Sequence, residues 1–119
     1  RQLRLRYKLA AMTADQYCQA GFTVVYQDVI IGSVLSEVAD RLKAWPLRMV
    51  VLCPAPEVAA QRDVERSKTA YQGWTPDQLD RSLREETPHL GLWLDTSVLS
   101  VEQTVDAIFA RIDETRNGL

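Results

Sequence analysis

Leu47 to Cys53 reads LRMVVLC, and within it Met49, Val50, Val51 and Leu52 form an apolar run with no polar residue between them. A strand of that kind wants cover on both faces, which is how strands sit in parallel sheets under helices. Pro46 stands just before the run, and Pro54 and Pro56 end it, so it is too tightly bounded to be a helix. An α/β fold is the reading that follows.

The flanking segments fit that reading. Leu5, Leu9, Met12 and Tyr17 fall near helical spacing between Leu3 and Ala20, and Gly21 stands where a helix closes with a left-handed residue. Phe22 to Gln27 is β-branched and aromatic and runs into Asp28, which predicts a short buried strand with an acid at its carboxyl end. Gly32 turns the chain, and Leu35, Val38, Ala39 and Leu42 give a second amphipathic helix from about Ser33 to Ala44. Pro56 fits the first position of a helix reaching about Arg66, because its missing N–H would be unpaired there in any case. Thr75 with Gln78 is a capping box opening a helix to about Glu86, with Trp74 and Leu79 spaced as a hydrophobic staple. Leu92, Trp93 and Leu94 read as a third strand ending at Asp95. Ser100 with Gln103 repeats the capping pattern, and Val101, Val105, Ile108 and Ile112 give the apolar stripe of a last helix. Three strands, each followed by a helix, argue for a parallel sheet with right-handed crossovers. Ligands of such sheets sit beyond the carboxyl ends of the strands, here Asp28, the turn from Cys53 to Pro56, and Asp95 to Ser97.

Composition narrows the function classes. The chain has 119 residues, enough for one domain with a core, and 14 basic against 16 acidic side chains, a balance that asks for neither nucleic acid nor a membrane. Arg1, Arg4, Arg6 and Lys8 cluster at the start, and the solvated face of a helix accounts for them. Cys18 and Cys53 lack CxxC spacing and His89 is the only histidine, so reduced thiols rather than a metal site are expected. With neither a transmembrane span nor a signal peptide in the sequence, the chain reads as cytoplasmic. Arg in the first position reads as a start inside a longer protein or after processing.

Arg62, Arg66 and Lys68 lie within seven residues, Arg62 and Arg66 one helical turn apart. Guanidinium groups so placed can converge on phosphate oxygens. The same pair also fits ion pairing with Asp63 and Glu65 on a solvated helix.

Four blocks in order, GFTVVYQDV from Gly21, VVLCPAPEVAAQRDVERSK from Val50, YQGW from Tyr71 and GLWLDTS from Gly91, together resemble the P-loop kinase superfamily. The nearest likeness is to small bacterial phosphotransferases similar to chloramphenicol phosphotransferase. The resemblance spans essentially the whole chain and implies a three-layer parallel sheet of P-loop kinase type, truncated to strands three to five with their helices. It also implies a lid over about residues 60–75, and transfer of the γ-phosphoryl group of ATP, with Mg2+, to a small hydroxylated acceptor. Asp28 would then hold magnesium-bound water or orient the acceptor, Arg62, Arg66 and Lys68 would contact phosphates from the lid, and Thr96 and Ser97 would line the base. Thr96 and Ser97 also fit an ordinary strand-to-helix turn, Asp28 an ordinary strand-end carboxylate, and Tyr71 and Trp74 could stack on an acceptor.

The departure from the family is the P-loop itself. None of the five glycines precedes a lysine, so no G-x-x-x-x-G-K-[ST] motif is present, and the family's second strand with its acid is missing too. ATP and Mg2+ are therefore expected to bind a full-length parent and not this chain tightly. In the family's sheet order, 2-3-1-4-5, the missing first strand lies between the first two strands found here. Either those two close up and pair, or the chain keeps a gap whose apolar edges invite self-association. A non-catalytic binding or regulatory domain that lost the nucleotide site is the alternative. A receiver-like domain with Asp28 as phosphoacceptor lacks the acidic pair and the lysine it would need.

Overall fold

The computed structural model describes residues 2–65 and 75–119. Element order is α1 (Gln2–Gln19), α2 (Val34–Leu42), β1 (Val50–Leu52), α3 (Pro56–Glu65), α4 (Pro76–Glu86), β2 (Leu92–Leu94) and α5 (Val101–Ala110), with a 3-10 turn over Ile112–Arg116. It is a small α/β protein whose described sheet has two parallel strands, paired Val50 to Leu92, Val51 to Trp93 and Leu52 to Leu94.

Helix α1 ends as Gly21 allows: its φ is 92°, and the Gly21 and Phe22 amides donate back to the Cys18 and Tyr17 carbonyls. Its buried face differs from the one expected. Leu5, Leu9, Met12 and Tyr17 are each about half exposed, and Tyr7, Ala11 and Ala14 face inward instead. The reason is close approach: α1 packs on α2, and two alanines at i and i+3 let the backbones near each other while Tyr7 fills the remaining space beside Val38 and Leu42. The Trp45 indole N–H, donating to Asp15 at 2.8 Å, ties the end of the α2 connection to α1.

Both capping boxes form. Thr75 Oγ1 accepts from the Gln78 amide while Gln78 Oε1 accepts from the Thr75 amide, and Ser100 and Gln103 do the same at α5. The Trp74 half of the staple lies outside the described residues. The stripe on α5 is shifted: Ile108 and Ile112 are half buried, whereas Val101 is 82% and Phe109 69% exposed.

Phe22 to Ile31 is not part of any ladder. Its residues alternate, Val24, Tyr26, Asp28 and Ile30 half buried and Val25, Gln27 and Val29 exposed, which is the period of an extended chain. A strand exists only by pairing, and among the described residues this segment has no strand beside it to pair with. Val24, Tyr26 and Ile30 pack on the α1–α2 core. The segment and β1 have not closed on each other. Both border one cavity of about 890 Å³, to which Val24, Tyr26 and Ile30 contribute from one side and Val50, Val51 and Leu52 from another.

Among the described residues, no helix is long and apolar enough to cross a membrane.

Candidate functional site

Parallel pairing of β1 and β2 brings their carboxyl ends together, and the polar side chains that follow each strand meet there. Beyond β2, Asp95 Oδ1 accepts from the Ser97 amide at 2.9 Å and from the Ser97 hydroxyl at 2.6 Å, a turn that an aspartate two residues before a serine builds on its own. Both bonds favour the ionised form and hold the Asp95 carboxyl below its ordinary range. Ser97 Oγ in turn accepts from the Ala55 amide at 2.8 Å, joining the loop after β2 to the loop after β1.

Arg62 reaches the same place from α3. One guanidinium nitrogen donates to Thr96 Oγ1 at 3.0 Å and the other to the Thr96 carbonyl at 2.6 Å. Thr96 is buried, so these bonds satisfy polar atoms that water does not reach. Arg62, Thr96 and Ser97 are thus brought into one cluster. Arg66 and Lys68, and with them Tyr71 and Trp74, lie outside the described residues.

Asp28 stands apart from that cluster, on the wall of the cavity. Oδ1 accepts from Arg6 at 2.8 Å and from the Val29 amide at 2.7 Å, and Oδ2 from the Tyr26 hydroxyl at 3.1 Å. Burial, then the bond to Asp28, pushes the Tyr26 phenol up to about 12. The Tyr7 hydroxyl donates to the Val29 carbonyl at 2.7 Å, and burial followed by the Asp28 charge raises its pKa as well. Farther along the same cavity wall is Asp80, bonded to Arg84 at 2.7 Å. Arg84 also donates to the Cys53 carbonyl at 3.2 Å, and burial pushes the Cys53 thiol up against the lowering effect of Arg84.

Arg6, Tyr26, Asp80 and Arg84 were not singled out from the sequence as site residues. Arg6 was read only as part of a solvated cluster, but it spans 22 positions to reach Asp28. Tyr26 carries a local signal, since residues two apart on an extended chain share a face. Asp80 and Arg84 are an i,i+4 pair, legible in the sequence as a helix-surface contact, while the reach of Arg84 to Cys53 is not. His89 stacks its ring on Trp93, centroids 3.8 Å apart and planes 8° from parallel, as a packing residue.

The fit to magnesium and to a nucleotide is poor among the described residues. Asp28 is the one carboxylate of its cluster, both of its oxygens already accept bonds from the protein, and no group of three or more His, Cys, Asp or Glu side chains is placed to hold a metal ion among the described residues. Thr96 and Ser97 spend their hydroxyls on Arg62, Ala55 and Asp95.

Comparison of the chain with family models, with characterised proteins and with solved structures gave no match.

Proposed function

We propose that this chain is the carboxyl-terminal part of a cytoplasmic ATP-dependent phosphotransferase acting on a small hydroxylated molecule, inactive until a P-loop-bearing segment completes it. The observation that supports this reading is the convergence at the carboxyl ends of β1 and β2. There an α3 arginine, a buried threonine and a serine–aspartate turn share one cluster, while Asp28 stands apart from it on the cavity wall. That is the end of a parallel sheet at which ligands bind. Within this reading Arg62 positions the Thr96 loop, Asp28 orients the acceptor after exchanging Arg6 for it, and Arg66 and Lys68, outside the described residues, keep the phosphate-contacting role that the resemblance implies.

The test is the coding sequence on the 5′ side of the Arg1 codon. A strand followed by G-x-x-x-x-G-K-[ST] is expected, and the gene product containing it should bind Mg-ATP in a calorimetric titration. A gene without that pattern removes the reading.

A second reading has its own support. Asp28 and Arg62 are both engaged with protein groups, as they would be in a non-catalytic binding domain that uses them for architecture. In that case the same titration of the full gene product gives no heat of binding.

A further inference from the structure

Helix α1 is apolar on two opposite sides. Tyr7, Ala11 and Ala14 pack on α2, while Leu5, Leu9 and Met12, at i, i+4 and i+7, form a second stripe on the side turned away, each about half exposed. Helix α5 repeats the situation. Its half-buried side carries Thr104, Ala107 and Ile108, and Val101, Val105 and Phe109, at i, i+4 and i+8, stay exposed. Single exposed apolar residues are ordinary, but stripes at helical spacing on two helices are two unpartnered faces.

The charges bordering the two stripes are opposite. On α1, Lys8 stands three residues after Leu5 and four before Met12, exposed and without an ion pair among the described residues. Arg4, one turn earlier, reaches Glu37 at 3.3 Å in an exposed contact, and Arg6 is paired with Asp28. The one acid of α1, Asp15, accepts from Trp45 and Gln19. On α5, Glu102 and Asp106 stand three residues before Val105 and Phe109, exposed and without an ion pair among the described residues, and the helix holds no basic residue. In the turn that follows, Arg111 is paired with Glu114, and Asp113 and Arg116 offset each other in charge.

These borders decide the occupant. Two α1 faces laid together would set Lys8 and Arg4 against the same cations, and two α5 faces would set Glu102 and Asp106 against the same carboxylates, so like-with-like pairing is penalised on both. An α1 face on an α5 face covers both stripes and places lysine beside carboxylates. One chain carries both faces, each exposed, so the partner that fits is a second copy of it.

We propose that copies of this chain associate head to tail, the outer face of α1 (Leu5, Leu9, Met12, bordered by Lys8) docking on the α5 face of the next copy (Val101, Val105, Phe109, bordered by Glu102 and Asp106). Such a contact leaves one free face of each kind at the two ends, and so continues beyond a dimer unless it closes into a ring. It uses neither strand edges nor the cavity, and it goes beyond the phosphotransferase reading without resting on it. One pair of helix faces is a small interface, below about 1,200 Å² in total, so the association is weak and shows at protein concentrations on the order of 100 µM.

The test is sedimentation equilibrium of the 119-residue chain at low ionic strength, up to about 1 mM. The weight-average mass should rise with concentration from 13.5 kDa to beyond that of a dimer. Leu9→Gln and Phe109→Gln, both at exposed positions, should each weaken association at least about 10-fold with the far-ultraviolet circular dichroism unchanged. Mixed in equal amounts, the two variants retain one intact face of each kind and should form a 1:1 complex that grows no further. Lys8→Glu should weaken association about 10-fold, a difference that shrinks in about 0.5 M salt as the charges are screened. A parent chain monomeric up to the highest concentration would overturn the proposal, as would Gln variants that associate like the parent, as they would through strand edges, or a mixture of the two that forms no complex. Should a Gln variant lose its helical spectrum, Lys8→Glu decides, and an association constant unchanged by it at low salt counts against the proposal.

Discussion

Arg62 holds Thr96 at two points, its hydroxyl at 3.0 Å and its carbonyl at 2.6 Å, and so fastens α3 to the loop that follows β2. Lysine at position 62 keeps the charge but not the fork that meets two acceptors at once. Arg62→Lys should lower stability by about 1–2 kcal/mol, since a buried acceptor is left without its donor. Urea denaturation checks this. A variant as stable as the parent would mean that the fork is not formed in solution and that Arg62 is free for a ligand.

The Tyr26 phenol is raised from 10.0 to about 12, by burial first and then by its bond to Asp28. Between those two values the folded chain holds a proton that the unfolded chain has released. The corresponding stabilisation is complete below about pH 10 and is lost as pH rises through about 12. A near-ultraviolet phenolate titration should show the Tyr26 phenol, together with that of Tyr7, ionising late. Asp28→Asn takes away the charge and should move that midpoint down; an unmoved midpoint would contradict the Tyr26–Asp28 bond.

Gly91 has φ of 76°, and a Cβ there would overlap the carbonyl oxygen of Met49, the same group that accepts the Leu92 amide in the ladder. Gly91→Ala should therefore cost more than about 2 kcal/mol, through backbone strain and displacement of β1 together. Gly21 also has a positive φ but open space around it, so Gly21→Ala should show the strain alone and a smaller loss. The comparison of the two melting temperatures is the measurement.

Ser100→Ala removes the hydroxyl that accepts the Gln103 amide at the start of α5 and should cost about 1 kcal/mol. Thr75→Ala at α4 should cost a similar amount. Thermal melts of the two variants and of the double variant should add, because the two boxes share no partner.

Local chemistry was the legible part of this chain. The capping boxes, the Gly21 helix end and the helical starts at Pro56 and Pro76 all depend on residues within a few positions of each other, and all formed. What depended on neighbours distant in the chain was not legible. Phe22 to Gln27 has strand composition, but pairing is decided by what lies alongside, and among the described residues no strand does. The apolar spacing of α1 pointed to Leu5 and Leu9, while the need for close contact with α2 selected Ala11 and Ala14. At the candidate site, Thr96 and Ser97 could be placed from the end of β2, but the reach of Arg62 to Thr96 over 34 positions and of Arg6 to Asp28 over 22 could not.

The cavity also bears on how the molecule comes apart. Helix α1 packs on α2 to one side of it, while β1 pairs with β2 and α3 packs on α4 to the other, and a bond of 2.7 Å from the Gly32 amide to Thr87 is one of the few ties across. Two bodies that share so little interior need not melt together. The van't Hoff enthalpy of the heat transition should then fall well short of the calorimetric one.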